Sequence, residues 1–191
     1  MQLLDLIRTG ECRALADAWR SWRAEGVLPR RASMRIEDIK ALLPGIAILE
    51  LNSPDELVFR LAGTMMSETL GFELTGANYL DFAPPSDKAN RAARAMRQGQ
   101  QPCGAHFILP MPFSSGRVVM SEVLSLPILP NEDGRAMQLI TMNSALEDTK
   151  AKLPTAHSKR FAMADEFRFV DIGAGTPEAK LGLTELPHCS F

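Results

Sequence analysis

Ala105-His106-Phe107-Ile108-Leu109-Pro110-Met111, with the runs Arg117 to Leu126 and Ala136 to Asn143 behind it, is the stretch on which the fold turns. Each run is rich in β-branched and long aliphatic residues, and turn residues separate them: Ser114-Ser115-Gly116, then Asn131-Glu132-Asp133-Gly134. The pattern predicts three strands in a meander. Side chains alternate across a strand, so Phe107, Leu109, Val119, Val123 and Leu139 share one face while Ile108, Met120, Leu124, Ile140 and Met142 share the other. Both faces are apolar, so both have to be covered.

Upstream, Ser86 is placed to cap a helix that runs through Arg97 and ends at Gly99. From Gly63 to that helix, short helical pieces are broken by Gly71, Gly76 and Pro84-Pro85. Before them, Ile46 to Leu51 and Leu57 to Ala62 read as strands joined through Asn52-Ser53-Pro54-Asp55, with proline where a type I turn wants it. Ile36 to Leu43 reads as a short helix stopped by Pro44-Gly45. In the first segment Cys12, Leu15, Trp19 and Trp22 recur at steps of three and four and share one helix face, opposite Arg13, Asp17, Arg20 and Arg23; Gly26 and Pro29 end that helix.

Two strands and three strands linked by a helical crossover make an α+β plan: one antiparallel, five-stranded sheet with an N-terminal covering helix. The expected division is 1–35 for the N-terminal helix and linker, 36–145 for the core and 146–191 for a C-terminal extension. Within the extension, Phe167 to Ile172 alternates well enough for an extra strand or a docking segment.

At 191 residues, 46% hydrophobic and 23% charged, the chain has the composition of one globular domain. A net charge of −2 gives no bulk reason to bind nucleic acid. The basic residues Arg8, Arg13, Arg20, Arg23, Arg30, Arg31 and Arg35 are interleaved with acids and read as a solvated face. No stretch reaches the ~18 apolar residues of a membrane span, and the N-terminus lacks the basic start of a signal peptide, so the expectation is a cytoplasmic protein without membrane partners. Cys12, Cys103 and Cys189 are odd in number and scattered, which does not read as a disulfide framework.

Four ordered motifs go further than the element order: Trp19-Arg20-Ser21-Trp22-Arg23 with Leu28-Pro29, Asp38 to Pro44, Phe59 to Thr64, and Leu70-Gly71-Phe72-Glu73-Leu74-Thr75-Gly76. Together they resemble a family of stand-alone bacterial PAS proteins, from about Trp19 to Asn143. The resemblance implies the PAS fold and a role in sensing, without an output domain in this chain. It leaves ligand and output open, because one scaffold serves many.

Within that fold, haem is typically held by a histidine on the long crossover helix, and Ser86 to Gly99 has none. Flavin light sensors carry a reactive cysteine just after a Gly-x-Asn, whereas here Gly76-Ala77-Asn78 is followed by Tyr79, so the stretch reads as a turn and cap. No cofactor, metal or catalytic residue is assigned. Of three histidines, His106, His157 and His188, only His106 has a cysteine at C-x-x-H spacing, Cys103, which is too little for a zinc site. His106, Glu122 and Gln138 interrupt strands and are candidates for one cross-strand polar row.

The residues from elements that the resemblance places around a central cavity are Phe59, Leu61, Met65, Met66, Phe72, Tyr79, Phe82, Met96, Phe107, Leu109 and Leu139; His106 and Glu122, from the polar row, join them as candidate ligand contacts if that row lies beside the pocket. Ten methionines suit an adaptable cavity as well as a gap-filled core. The face Leu15, Trp19, Trp22 is the candidate homodimer interface, unless it covers the sheet. The expected function is a sensory or adaptor module for bacterial signal transduction that binds a small molecule, a signalling protein, or both. The alternatives are a small hydrolase using Cys103 with His106 and a structural localisation factor with a filled core.

Overall fold

A computed structural model describes residues 3–112, 118–146 and 160–177. The Ser114-Ser115-Gly116 turn, His157, His188 and Cys189 lie outside them. The elements are α1 (Leu3–Leu6), α2 (Gly10–Trp22), α3 (Ile36–Ile39), β1 (Ile46–Ser53), β2 (Glu56–Ala62), α4 (Thr64–Leu70), α5 (Lys88–Gln100), β3 (Gly104–Pro112), β4 (Val118–Ile128), β5 (Gln138–Ala145) and β6 (Glu166–Val170). The strands form one antiparallel sheet in the order β2-β1-β5-β4-β3-β6.

The sheet therefore has six strands, not the expected five: β6, from the C-terminal extension, pairs along β3 from Gly104↔Val170 to Ile108↔Glu166. It satisfies the edge of β3, whose N–H and C=O groups would otherwise face solvent. At the other end, Pro54 and Asp55 make the hairpin turn between β1 and β2, and the Asp55 N–H donates to Ser53 Oγ at 3.2 Å.

Two helix boundaries differ from the sequence reading. The Asp87 carboxylate accepts from Arg91 Nε at 2.9 Å, one turn on, and α5 begins after Asp87 rather than at Ser86. Gly99 lies buried inside α5, which runs on to Gln100. The expected helix 36–43 is one α turn followed by a 3₁₀ segment, Lys40–Gly45, that contains Pro44. Gly71, in the left-handed region at φ +80°, closes α4, with its N–H donating to Ser67 O.

The register separates the two faces as the alternation predicts. Ile48, Ile140, Leu126 and Leu124 fall on the outer face, and Ala47, Leu49, Leu139, Thr141 and Val123 on the inner one. Helix α2 covers the outer face: Trp19 Nε1 donates to Pro127 O at 2.9 Å, and Cys12 Sγ lies 3.9 Å from the carbonyl oxygens of Glu122 and Met142. Trp22 Nε1 donates to Asp38 Oδ2 at 2.8 Å, fixing the helix to α3.

This corrects the assignment of Leu15, Trp19 and Trp22 to a dimer interface. They are 0%, 1% and 3% exposed within a single chain, buried against their own sheet. Burying Leu15 alone contributes about 2 kcal/mol. A stripe sealed by its own fold is not offered to a second copy.

Candidate functional site

The inner face lines a partly open cavity of about 90 Å³ between the sheet, α5 and residues 161–167. Of the expected contacts, Phe59, Tyr79, Phe107, Leu109 and Leu139 line it. Ala47, Leu49, Met66, Met111 and Val123 complete the apolar wall.

The other expected contacts lie elsewhere. A register shift pairs Phe59 with Leu49 but Leu61 with Ile48, so the bulge at Arg60 carries Leu61 to the outer row. Of the two neighbouring methionines, Met66 lines the cavity and Met65 does not. Phe82 packs in an aromatic group, with ring centroids 5.3 Å from Phe72 and 6.3 Å from Phe161. Met96 is 1% exposed in the core, but α5 turns Arg91, Arg94, Ala95 and Gln98 to the cavity, positions i, i+3, i+4 and i+7 of one face. His106 and Glu122 sit on the outer face, opposite Leu124 and Ile108.

The polar lining was missed in the sequence. Arg91 donates from Nε to Asp87, from Nη1 to Tyr79 Oη at 2.8 Å and from Nη2 to Ala162 O. Ser125 Oγ donates to Gln98 Oε1 at 3.2 Å, Thr141 Oγ1 to Ala47 O at 3.3 Å and Asn143 Nδ2 to Gly45 O at 3.1 Å. The helical step from Arg91 to Gln98 was the available signal. No sequence signal pointed to Phe161, whose ring lies 5.8 Å from that of Tyr79, or to the stacking of Phe167 on Phe107 at 5.9 Å.

A second constellation sits under the start of α2. The Glu122 carboxylate, 0% exposed, accepts the Arg8 N–H and His106 Nε2–H on Oε1, both at 2.7 Å, and the Thr9 N–H on Oε2 at 2.7 Å. Thr9 Oγ1 also donates to Oε2 while accepting from the Cys12 N–H as the cap of α2. Burial alone would raise the pKa of Glu122. The donors from His106, Thr9 and the Arg8 backbone outweigh it and hold the carboxyl at about 2. Gln138 is not in this row: it faces Ile128, while Glu122 faces Ser144, and its Nε2 donates to Glu50 Oε2 at 3.0 Å.

The Cys103–His106 pair is poorly built for nucleophilic chemistry. Burial pushes the Cys103 thiol up to about 12, so it stays protonated at neutral pH, and His106 Nε2 is taken by Glu122. Asn78 is a structural cap whose Oδ1 accepts from the Leu57 and Leu80 N–H groups at 3.1 and 3.2 Å. Among the described residues no group of three or more His, Cys, Asp or Glu side chains is placed to hold a metal ion, and no helix is long and apolar enough to cross a membrane.

An antiparallel sheet with a hairpin at one side, a meander at the other and a helical crossover over a small cavity defines the PAS class of α+β domain, a fold of sensory and signalling type. The chain belongs to this family: the PAS domain family matches residues 8–141, from the turn before α2 into β5. Among solved structures it is similar to an RNA-binding Light-Oxygen-Voltage receptor, at 18% identity over 64% of this chain and 35% of that one, with a TM-score of 0.42. It is also similar to the VqmA dimer of Vibrio cholerae, described as a LuxR-type receptor, at 19% identity over 59% of this chain and 51% of that one, with a TM-score of 0.39. The chain thus spans about a third and a half of those two chains. No curated protein matches it.

Proposed function

We propose that this chain is a sensory or adaptor module of bacterial signal transduction that takes up a small molecule between the sheet and α5 and passes occupancy to a protein partner. The observation that carries the reading is the cavity itself: about 90 Å³, mostly apolar in its lining, with polar groups from Asp87 and α5, from Tyr79 and from Ser125, Thr141 and Asn143 on the strands. Apolar walls with a few convergent polar groups are the usual make-up of a small-molecule site. The open space also counts against a localisation factor with a filled core. A homodimer has to use a surface other than the buried stripe of α2.

Mass spectrometry of the protein purified under native conditions identifies what fills the cavity, and thermal melting of Phe107→Ala tests where it binds. A ligand at ~100 times its Kd stabilises the folded state by about 2.7 kcal/mol. Phe107 is half-buried and stacks on Phe167, so its removal lowers the melting point even without ligand. The informative quantity is the ligand-induced shift within each variant. It is expected to fall in Phe107→Ala; an unchanged shift means that the ligand binds elsewhere.

A further inference from the structure

The charged residues of the cavity do not balance. Asp87 and Arg91, 2% and 8% exposed, pair with each other at 2.9 Å. Arg94, one turn along α5, is left over. Among the described residues no carboxylate pairs with it, and its guanidinium carbon sits over the ring of Phe167, 4.1 Å from the centroid. Stacking of this kind engages the face of a guanidinium and leaves its in-plane N–H donors for a planar acceptor. A half-buried cation beside an apolar wall favours an anion in the space between them.

Resting on the reading of the cavity as a ligand site, we propose that Arg94, positioned by Phe167, anchors the carboxylate of a short-chain monocarboxylic acid whose hydrocarbon part lies against Phe107, Leu109 and Leu139. Three features select that class. The charge is single, because Arg91 is already neutralised by its buried pair with Asp87 at 2.9 Å, which leaves Arg94 as the one uncompensated cation among the described residues lining the cavity. The chain is short, because about 90 Å³ is less than the ~150 Å³ of an engineered cavity that holds benzene. The body is apolar, because Phe107, Leu109 and Leu139 are the strand residues it lies against. Phe167 belongs to β6, beyond the residues matched to the family, so the anchor joins the PAS core to the chain's own extension.

Calorimetry and thermal melting of the full chain with n-alkyl carboxylates from propanoate to octanoate, and with n-alkanols of the same lengths, test this. The expected result is carboxylate binding at least tenfold tighter than the matched alcohol, with an optimum among the shorter chains. Arg94→Gln is expected to abolish the tenfold preference for the carboxylate over the matched alcohol, the ratio within each variant being the quantity read. Phe167→Leu, which keeps the apolar cover and removes the ring face, is expected to lower that preference severalfold, and it decides the matter if Arg94→Gln does not fold. Equal binding of acids and alcohols, or undiminished preference in both variants, overturns the anchor and leaves the cavity reading standing. If neither series binds, the cavity reading falls and the anchor falls with it.

Discussion

Replacing Glu122 with glutamine keeps the shape of the side chain but sets one carbonyl oxygen against four donors: the Arg8 and Thr9 N–H groups, Thr9 Oγ1 and His106 Nε2. The new amide group would point its own N–H at a donor, leaving a helix N-terminus partly unsatisfied under cover. A fall in pKa from the ordinary 4.5 to about 2 corresponds to about 3 kcal/mol in favour of the folded, ionised state. Because the folded pKa lies below the unfolded one, that contribution is complete above pH 4.5 and is lost as pH falls toward 2. Urea unfolding followed by tryptophan fluorescence is well suited to the measurement, since both tryptophans of the chain, Trp19 and Trp22, lie on α2. At neutral pH, Glu122→Gln is expected to lose about 3 kcal/mol, a fall in urea midpoint of roughly 1–3 M. By pH 3 the gap to the wild type should narrow by about 2 kcal/mol. A variant within about 0.5 kcal/mol of the wild type at neutral pH, or a gap that stays constant on acidification, refutes the reasoning.

Gly63→Ala is expected to cost roughly 3 kcal/mol or to abolish soluble expression, because the added Cβ would meet Leu43 O at 2.2 Å and Pro44 O at 2.3 Å, both backbone atoms that cannot turn aside; urea unfolding reads it. Trp19→Phe keeps most of the buried ring and removes the N–H that satisfies Pro127 O, so its melts should report a loss of about 1–3 kcal/mol.

The element order and the two sheet faces were legible because strand alternation and turn residues are local signals. Two failures were not local. The resemblance places both Phe59 and Leu61 at the cavity, and strict alternation would keep residues two apart on one face, but the bulge at Arg60 breaks it and nothing in Phe59-Arg60-Leu61 announces it. The stripe of Leu15, Trp19 and Trp22 shows that a face is buried, not what buries it; a sheet of the same chain and a second copy make the same demand on a sequence. His106 and Glu122 could have been placed correctly. His106 adjoins Phe107 and Glu122 adjoins Val123, and consecutive strand residues cannot both face one cavity. The sixth strand was half legible, since Phe167 and Phe169 alternate, but which edge receives them is a tertiary fact.

That same alternation ties the two constellations to shared strands while keeping their chemistry apart. On β3, His106 serves the carboxylate under α2 and Phe107 the cavity; on β4, Glu122 and Val123 divide in the same way. On β6, Phe167 faces the cavity, while Glu166, on the outer row, pairs with Arg8 at 2.9 Å, a half-exposed ion pair worth little by itself. Among the described residues, the carboxylate site under α2 and the cavity share backbone but no side-chain partner, so changes to each should add. Glu122→Gln removes acceptors from the outer face and leaves the ladder between β3 and β4 intact, so it loosens α2 without moving Arg94 or Phe167. Conversely, Arg94→Gln alters the cavity wall and touches nothing under α2. Stability lost under α2 and selectivity lost through the cavity are therefore separate quantities, and each variant serves as the control for the other.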